Sequence, residues 1–433
     1  MKEPWQLSLT EASSAIHEGS LSSYRLVKSC IHRIQELEDK VQAWAHLDIE
    51  GALESAGELD RTQIKSRLHG IPVGIKDVID TASLPTSYNS PIYENHFPKE
   101  DAVIVKKLVK AGMVILGKTV TQEFATRGKA GPTRNPNNLA HTPGGSSSGS
   151  AAAVACGMIP LAVSTQTAGS IIRPASYCGV VGFKPSSGWT DHAGLKTIVP
   201  EADTIGFHCK TVDDAEWVWV ELTNPNLPSD RQVTNRRPLK IGLCRTPKWQ
   251  EAEEISQLAL HEAAERLSLA GAVVEPLVLS EAFTDLFEAH DLISDFRAVQ
   301  SLSFELEHYP EMMSSGLMDK LIKAKKISHA DVERALKLRR DCSESRSELF
   351  KNYDLIMTLS SPGCAPTLKS GELGASTFSK IWTLLGMPSI NIPLPKKHAL
   401  PIGIQLVGQF QRDDQLLQLA KKVYADIHQT SCT

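Results

Sequence analysis

The feature that most constrains the fold is a stretch without charged residues. Residues 135–172 contain no Asp, Glu, Lys or Arg although the chain is 22% charged, so about eight charges would be expected there. The stretch is long enough to cross a bilayer, but Pro143, Pro160 and many serines and glycines would leave polar groups unpaired in lipid. It therefore predicts a buried part of a globular protein.

Composition narrows the class of partner. The chain has 433 residues, 41% of them hydrophobic, and a net charge of −4 with acidic and basic residues mixed throughout. This content supports a large core, and it offers no basic surface for nucleic acid or for an anionic membrane. The N-terminus lacks the apolar core of a secretory signal. We therefore expect a cytoplasmic protein that acts on a small molecule, without nucleic acid, membrane, metal or cofactor.

Apolar runs alternate with helical patterns along most of the chain. Ser8 and Glu11 have capping-box spacing and precede two amphipathic helices. Strand-like runs lie around residues 73, 113, 159, 180, 239, 354, 388 and 402. This alternation predicts an α/β fold with a large, mostly buried sheet covered by helices on both faces. Residues 1–433 are interpreted as a single domain, in which residues 281–350 form a helical insertion that serves as a lid or a dimer surface.

The Ser/Gly segment admits several chemistries, and most of them fail on spacing. It has no Gly-Lys-Ser/Thr at the spacing of a phosphate-binding loop. The segment Gly145–Gly149 matches the G-x-S-x-G elbow of α/β-hydrolases, with Ser147 as nucleophile, but the residues before it read as a loop rather than a strand. The histidines show no metal-ligand spacing. An α/β-hydrolase with Ser147 as nucleophile therefore remains a distant alternative.

A serine nucleophile served by a lysine fits the residues better. Ser170 ends a loop that follows an apolar strand, and Lys76 lies inside the apolar run GIPVGIKDVI, where burial lowers the pKa of an ammonium group. The alternative interpretation of Lys76 is an ion pair with Asp77 or Asp80. An oxyanion hole needs converging backbone N–H groups, and the loop offers four in succession: those of Thr167, Ala168, Gly169 and Ser170.

Several motifs resemble the amidase signature family of serine amidohydrolases. They fall in family order and cover most of the chain outside about residues 220 to 375: GIPVGIKDV, PTSYNSP, DAVIVKKLVKAGMVILGKT, RNP, GGSSSGSAAAVACGMIPLAVSTQTAGSIIRPASYCGVVGFKPS and LPIGIQLVG. The resemblance implies the large mixed sheet of that family. It also implies Ser170 as nucleophile, Ser146 as a bridging serine with a cis peptide bond, and Lys76 as base.

Three positions depart from the common family pattern. Gln166 stands where many members have an aspartate, which leaves its hydrogen bonds open, and Ala168 replaces a usual glycine. Arg173 lies three residues after Ser170 rather than two, as in the malonamidase type, in which the arginine binds a substrate carboxylate. The alternative is a structural arginine that ties the loop to a carbonyl or an acid.

The resemblance implies a serine amidase. We expect it to cleave a small, carboxylate-bearing amide or ureide, such as a malonamate-, carboxybiuret- or allophanate-like compound, through an acyl-enzyme on Ser170 that releases ammonia. One alternative is a component of a glutamine-dependent amidotransferase that acts on charged tRNA, and another is an aryl or acyl amidase. A homodimer is common in relatives and is expected here.

Overall fold

The fold is built on one large sheet that runs from residue 44 to residue 407. The structure is a computed structural model that describes residues 2–224 and 237–428. The sheet has eleven strands: β1 Trp44–Leu47, β2 Pro72–Lys76, β3 Val114–Thr119, β4 Leu161–Gln166, β5 Val181–Lys184, β6 Thr204–Cys209, β7 Lys240–Leu243, β8 Val273–Pro276, β9 Leu355–Leu359, β10 Ser389–Pro393 and β11 Gly403–Val407.

Helices occupy most of the connections between strands. Over the described ranges they are α1 Leu9–His17, α2 Ser23–Val41, α3 Ile49–Leu59, α4 Val103–Lys110, α5 Ser148–Ala155, α6 Ile172–Cys178, α7 Val212–Thr223, α8 Glu254–Leu269, α9 Glu281–Ser301, α10 Ser303–His308, α11 Ser315–Ala324, α12 His329–Ser345, α13 Lys380–Leu384 and α14 Asp413–His428.

The sheet is mixed. Its strand order is β1-β3-β2-β4-β6-β5-β10-β11-β9-β7-β8. Strands β3, β2 and β4 run parallel to one another, as do β9, β7 and β8, and the remaining neighbours are antiparallel. Every residue of β2, β4, β5, β6, β9 and β11 is buried. The predicted fold class, a large and mostly buried α/β sheet, is confirmed.

All eight predicted strand runs coincide with strands of the sheet, and the two N-terminal helices are present. The capping box at the start of α1 is formed: the Glu11 amide donates to Ser8 Oγ at 3.1 Å, and the Ser8 amide donates to Glu11 Oε2 at 2.9 Å. Three strands, β1, β6 and β8, lie outside the predicted runs. Residues 281–350, all of which are described, contain α9 to α12 and no strand. Their role as a lid or dimer surface stays a prediction.

Most of the charge-free stretch lies in the interior, as predicted: residues 142–172 are nearly all buried, whereas residues 136–141 are partly or fully exposed. It supplies α5 and β4, and nearly all of their residues are buried. Gly149 shows why small residues are needed there: a Cβ at this position would lie 2.2 Å from the Ala43 carbonyl oxygen and 2.4 Å from the Val120 amide nitrogen. No helix among the described residues is both long and apolar enough to span a membrane.

Candidate active site

The buried Lys76 side chain lies at the centre of a polar cluster. Parallel pairing of β2 with β4 sets Ile75 opposite Val163, so the end of β2 meets the end of β4. Lys76 Nζ lies 2.8 Å from Thr165 Oγ1, 3.3 Å from the Thr165 carbonyl oxygen and 2.7 Å from Ser146 Oγ. A neutral amine donates two hydrogen atoms and accepts one, so two bonds to Thr165 leave its lone pair for the Ser146 hydroxyl.

The surroundings of Lys76 favour its neutral form. The pKa of Lys76 falls from 10.5 to about 7: burial lowers it most, the Asp203 carboxylate raises it, and the Arg173 charge lowers it. The alternative ion pairs are not formed with Lys76. Asp77 instead contacts Lys118 Nζ at 3.3 Å, and Asp80 accepts from the Tyr88 hydroxyl at 3.1 Å. Lys76 therefore has the surroundings that a general base needs near neutral pH.

The two serines of the Ser/Gly loop have different surroundings. The Gly145–Ser146 peptide bond is cis, as the resemblance implies for Ser146. Ser147 is fully buried, and its hydroxyl donates to the Thr165 carbonyl at 3.2 Å. Residues 142–147 before α5 form no strand, so the strand-to-serine turn of the α/β-hydrolase elbow is missing. The structure therefore disfavours Ser147 as the nucleophile.

Ser170 lies in the loop between β4 and α6 and lines a cavity. The backbone N–H groups of Thr167, Ala168, Gly169 and Ser170 donate to no described residue, so they are free for an oxyanion. Ser146 and Ser170 share no hydrogen bond in this structure. The transfer of a proton from Ser170 to Ser146 therefore stays a prediction, as do the catalytic roles of these residues.

Gln166 holds the chain directly after Ser170. Its Oε1 accepts from the amides of Ile171 at 2.8 Å and Ile172 at 3.0 Å, and its Nε2 donates to Thr383 Oγ1 at 2.9 Å. Thr383 in turn lies 2.8 Å from the Ala168 carbonyl oxygen, to which its hydroxyl can donate. A neutral amide can thus accept from these two N–H groups without adding a carboxylate next to the cluster.

Replacing Gln166 with Leu should lower the free energy of unfolding by at least about 2 kcal/mol, because two buried amides lose their acceptor and each unsatisfied group costs about 1 to 3 kcal/mol. Gln166→Glu is the comparison variant: it keeps an acceptor for both amides, but it loses the Nε2 donor to Thr383 and adds a buried carboxylate. Urea denaturation of the two variants and the wild type measures the effect. A Leu variant as stable as the wild type would show that Gln166 does not hold the loop.

Arg173 lines the same cavity and is buried, with 7% of its surface exposed. Its Nη1 donates to the Gly374 carbonyl at 2.7 Å, and its Nη2 donates to the Gly145 carbonyl. It has no acidic partner among the described residues, and its buried Nε is unpaired. The predicted alternative, an arginine that ties the loop to a carbonyl, is thus observed. Three of the five guanidinium N–H groups still lack a partner.

The rest of the cavity comes from parts of the chain without recognised motifs. The cavity has a volume of about 540 Å³, and the walls come from residues 122–130, from α9 and α11, and from residues 371–380. His290 Nε2 lies 3.0 Å from the Thr167 carbonyl oxygen, and Asp291 accepts from Lys380 at 2.7 and 2.8 Å. Sequence reasoning missed these residues, because isolated charges in helical segments give no catalytic signal.

Comparison with known families fits this geometry. The family model described as Amidase matches residues 25–417, which is most of the chain. The chain belongs to the amidase family. The enzyme class expected from the sequence, a serine amidase acting on amides, agrees with this membership.

Known relatives cover nearly the whole chain. A glutamyl-tRNA(Gln) amidotransferase subunit from Carboxydothermus hydrogenoformans is 31% identical over 96% of this chain and 96% of its own. The solved peptide amidase from Stenotrophomonas maltophilia is 27% identical, with a TM-score of 0.83 over 98% of this amidase and 97% of the other chain. The solved structure of the corresponding amidotransferase subunit from Thermotoga maritima is also 27% identical, with a TM-score of 0.79 over 98% and 96%. None of these three is of the malonamidase type, so that finer assignment stays a prediction.

Proposed function

We propose that this amidase hydrolyses the terminal amide of a small, charged substrate through an acyl-enzyme on Ser170 and releases ammonia. The observation that carries the proposal is the contact of Lys76 with Ser146 beside a loop whose four amides are free. Burial lowers the pKa of Lys76 to about 7, so a large fraction of the enzyme has a neutral amine at physiological pH.

In the proposed reaction a proton moves from Ser170 to Lys76 and then back to the leaving nitrogen. Ser170 Oγ attacks the amide carbon while its proton passes to Ser146, whose own proton passes to Lys76 Nζ. The carbonyl oxygen becomes an oxyanion that accepts from the free amides of the loop. When the C–N bond breaks, the proton returns along the same route to the leaving nitrogen, and ammonia departs. Water then attacks the acyl-enzyme with the same residues as acid and base.

The first candidate substrate is the carboxylate-bearing amide or ureide expected from Arg173. Arg173 lines the same cavity as Ser170, has no acidic partner in the described chain, and keeps unpaired N–H groups. A guanidinium offers a planar fork that suits a carboxylate, and charged hydrogen bonds contribute about 1.5 to 3 kcal/mol each. Malonamate- and allophanate-like compounds have this chemistry. A neutral aryl amide would offer Arg173 no ionic partner.

Replacing Arg173 with Met should lower kcat/KM for a carboxylate-bearing amide about 10²-fold more than for a neutral amide of the same size, because only the charged substrate loses an ionic partner. Some loss on both substrates is expected, since Arg173 also holds the Gly145 and Gly374 carbonyls. Steady-state ammonia release on the paired substrates measures the difference. Equal losses in a folded variant would assign Arg173 to the loop alone.

The second candidate is a component of a glutamine-dependent amidotransferase, and the comparisons support it more than the first. The named relative at 31% identity belongs to an enzyme of glutamyl-tRNA(Gln), and it matches along 96% of its length. Asp295 also lines the cavity, where its only described ionic contact is with Arg127 at 3.7 Å, so it could receive an α-ammonium group. This support weighs against the expectation of no nucleic-acid partner. The cytoplasmic location and the homodimer stay predictions.

Ammonia release from a panel of amides separates the two candidates. The full chain is incubated with malonamate, allophanate, glutamine and propionamide, with the Ser170→Ala variant as blank. Turnover of malonamate or allophanate above glutamine supports the hydrolase. Turnover of glutamine that increases when a glutamyl-tRNA and candidate partner proteins are added supports the amidotransferase. Release from none of the four, under all these conditions, contradicts the proposal.

A further inference from the structure

The cavity beside Ser170 has an excess of positive charge. Among the described residues, its ionisable lining comprises four cations and two carboxylates besides His290, a formal excess of two positive charges with His290 neutral. The cations are Arg127, Arg173, Lys320 and Lys380, and the carboxylates are Asp291 and Asp295.

The two carboxylates contact only some of the four cations. Asp291 accepts from Lys380 at 2.7 and 2.8 Å and from Arg127 at 2.8 Å. Asp295 lies 3.7 Å from Arg127. Lys320 makes no salt bridge or hydrogen bond with any residue in the described ranges. Among the described residues, Lys320 and Arg173 are therefore the two lining cations that form no salt bridge.

The unpaired cations lie at different depths. Ser170 and Arg173 are each 7% exposed, whereas the side chains of Arg127 and Asp291 are 43% and 41% exposed. We call the side of the cavity with these two exposed residues its open end. Lys320, on α11, lines the same cavity, is also partly exposed, and is close enough to Arg127 to be affected by its charge. Burial and then Arg127 lower the pKa of Lys320 to about 8, whereas Asp295 and Asp291 raise it. Because its pKa stays above 7, Lys320 is mostly a cation at neutral pH. A partly buried cation that no carboxylate contacts directly binds an anion favourably.

We infer that Lys320 forms a second anion subsite at the open end of the cavity, so that the preferred substrate carries a carboxylate or phosphate remote from its scissile amide. This inference rests on the proposed function and narrows its substrate class. Malonamate has its single carboxylate one methylene from the amide, so it cannot occupy both ends of the cavity. Glutamine, or an amide with a longer acidic chain, places an anion farther away.

Binding to the Ser170→Ala protein tests the subsite without turnover. The ligands are glutaramate, its neutral methyl ester and 3-phosphonopropionamide, titrated by calorimetry into the full chain. Lys320→Gln should raise the Kd of an anionic ligand about tenfold or more and leave the ester unchanged. The anionic ligand whose Kd rises more in Lys320→Gln identifies the preferred group: a carboxylate, or a phosphate, for which the phosphonate stands in. Lys323→Gln is the matched control, because it removes the same charge from an exposed position on the same helix.

Several results would overturn the inference. These are equal affinity for glutaramate and its ester, equal losses in Lys320→Gln and Lys323→Gln, and no detectable binding of either anion. Since the test protein cannot turn over, its result does not depend on which residue is the nucleophile. Ammonia release by the wild type reports on the proposed function separately, so the two failures can be told apart.

Discussion

Replacing Ser170 with Ala should lower kcat by at least about 10⁴-fold while substrate still binds, because the acyl-enzyme needs its hydroxyl and the remaining groups only stabilise charge. Ser170 lines the cavity at the loop whose amides are free, so removing one oxygen atom leaves the pocket otherwise intact. Ammonia release under single-turnover conditions measures the rate. Calorimetric titration of the same variant measures binding.

Ser147→Ala is the matched control for this prediction. It removes the same atom from a neighbouring serine whose hydroxyl donates to the Thr165 carbonyl and does not line the cavity. It should keep most of the activity, apart from a small effect through Thr165. A Ser147 variant that loses as much activity as the Ser170 variant would return the assignment to the α/β-hydrolase elbow.

Replacing Lys76 with Ala should lower kcat/KM about 10³-fold or more and remove the acidic limb of its pH profile, because the base disappears. In the wild type only the neutral amine accepts a proton. Burial lowers the pKa of Lys76 to about 7, so kcat/KM should rise with pH and level off above this value. Activity is lost as the pH falls through about 7. Initial rates between pH 5 and 9 measure the curve.

Lys118→Met provides the comparison for the loss of a buried lysine. Lys118 is also fully buried, but it contacts Asp77 at 3.3 Å and Thr86 Oγ1 at 2.6 Å rather than either serine. This variant should lose stability, and in the fraction that folds the acidic limb should stay where it was. A Lys76 variant with an unchanged acidic limb would contradict the role of Lys76 as base.

The sequence could predict the centre of the site because its parts lie in contiguous motifs. The residue pattern predicts burial of the run around Lys76 and of the charge-free residues 135–172, and the structure places the first and most of the second in the core. The contact of Lys76 with Thr165 could not be predicted, since it depends on the parallel register of β2 and β4. Register between strands far apart in the chain is a tertiary property.

The three strands outside the predicted runs, β1, β6 and β8, were missed because their sequences lack a continuous apolar run. β1 and β8 have four residues each and lie at the two edges of the sheet. His46 interrupts the apolar residues of β1, and β8 ends in Glu275 and Pro276, so neither is a continuous apolar run. β6 contains Gly206 and His208, and it pairs antiparallel with β4 and β5 on either side. Strands of this kind are stabilised by their neighbours more than by intrinsic propensity.

The charged lining of the cavity could not be predicted from the sequence either, because it also depends on tertiary packing. Lys320 and Asp291 are ordinary charges on amphipathic helices in the segment 281–350. Their meaning comes from packing, because α9 and α11 bring them to the cavity that contains Ser170, more than a hundred residues earlier in the chain. The contact of Gly374 with Arg173 also joins residues far apart in the chain.

The central claim is that Ser170 carries the acyl group, and covalent trapping tests it most directly. The full chain is treated with a fluorophosphonate, digested, and mapped by tandem mass spectrometry alongside the Ser170→Ala variant. We expect stoichiometric label on Ser170, loss of ammonia release in proportion to labelling, and no label in the variant. Label on Ser147 or on any other residue, with Ser170 unmodified while activity is lost, would contradict the assignment.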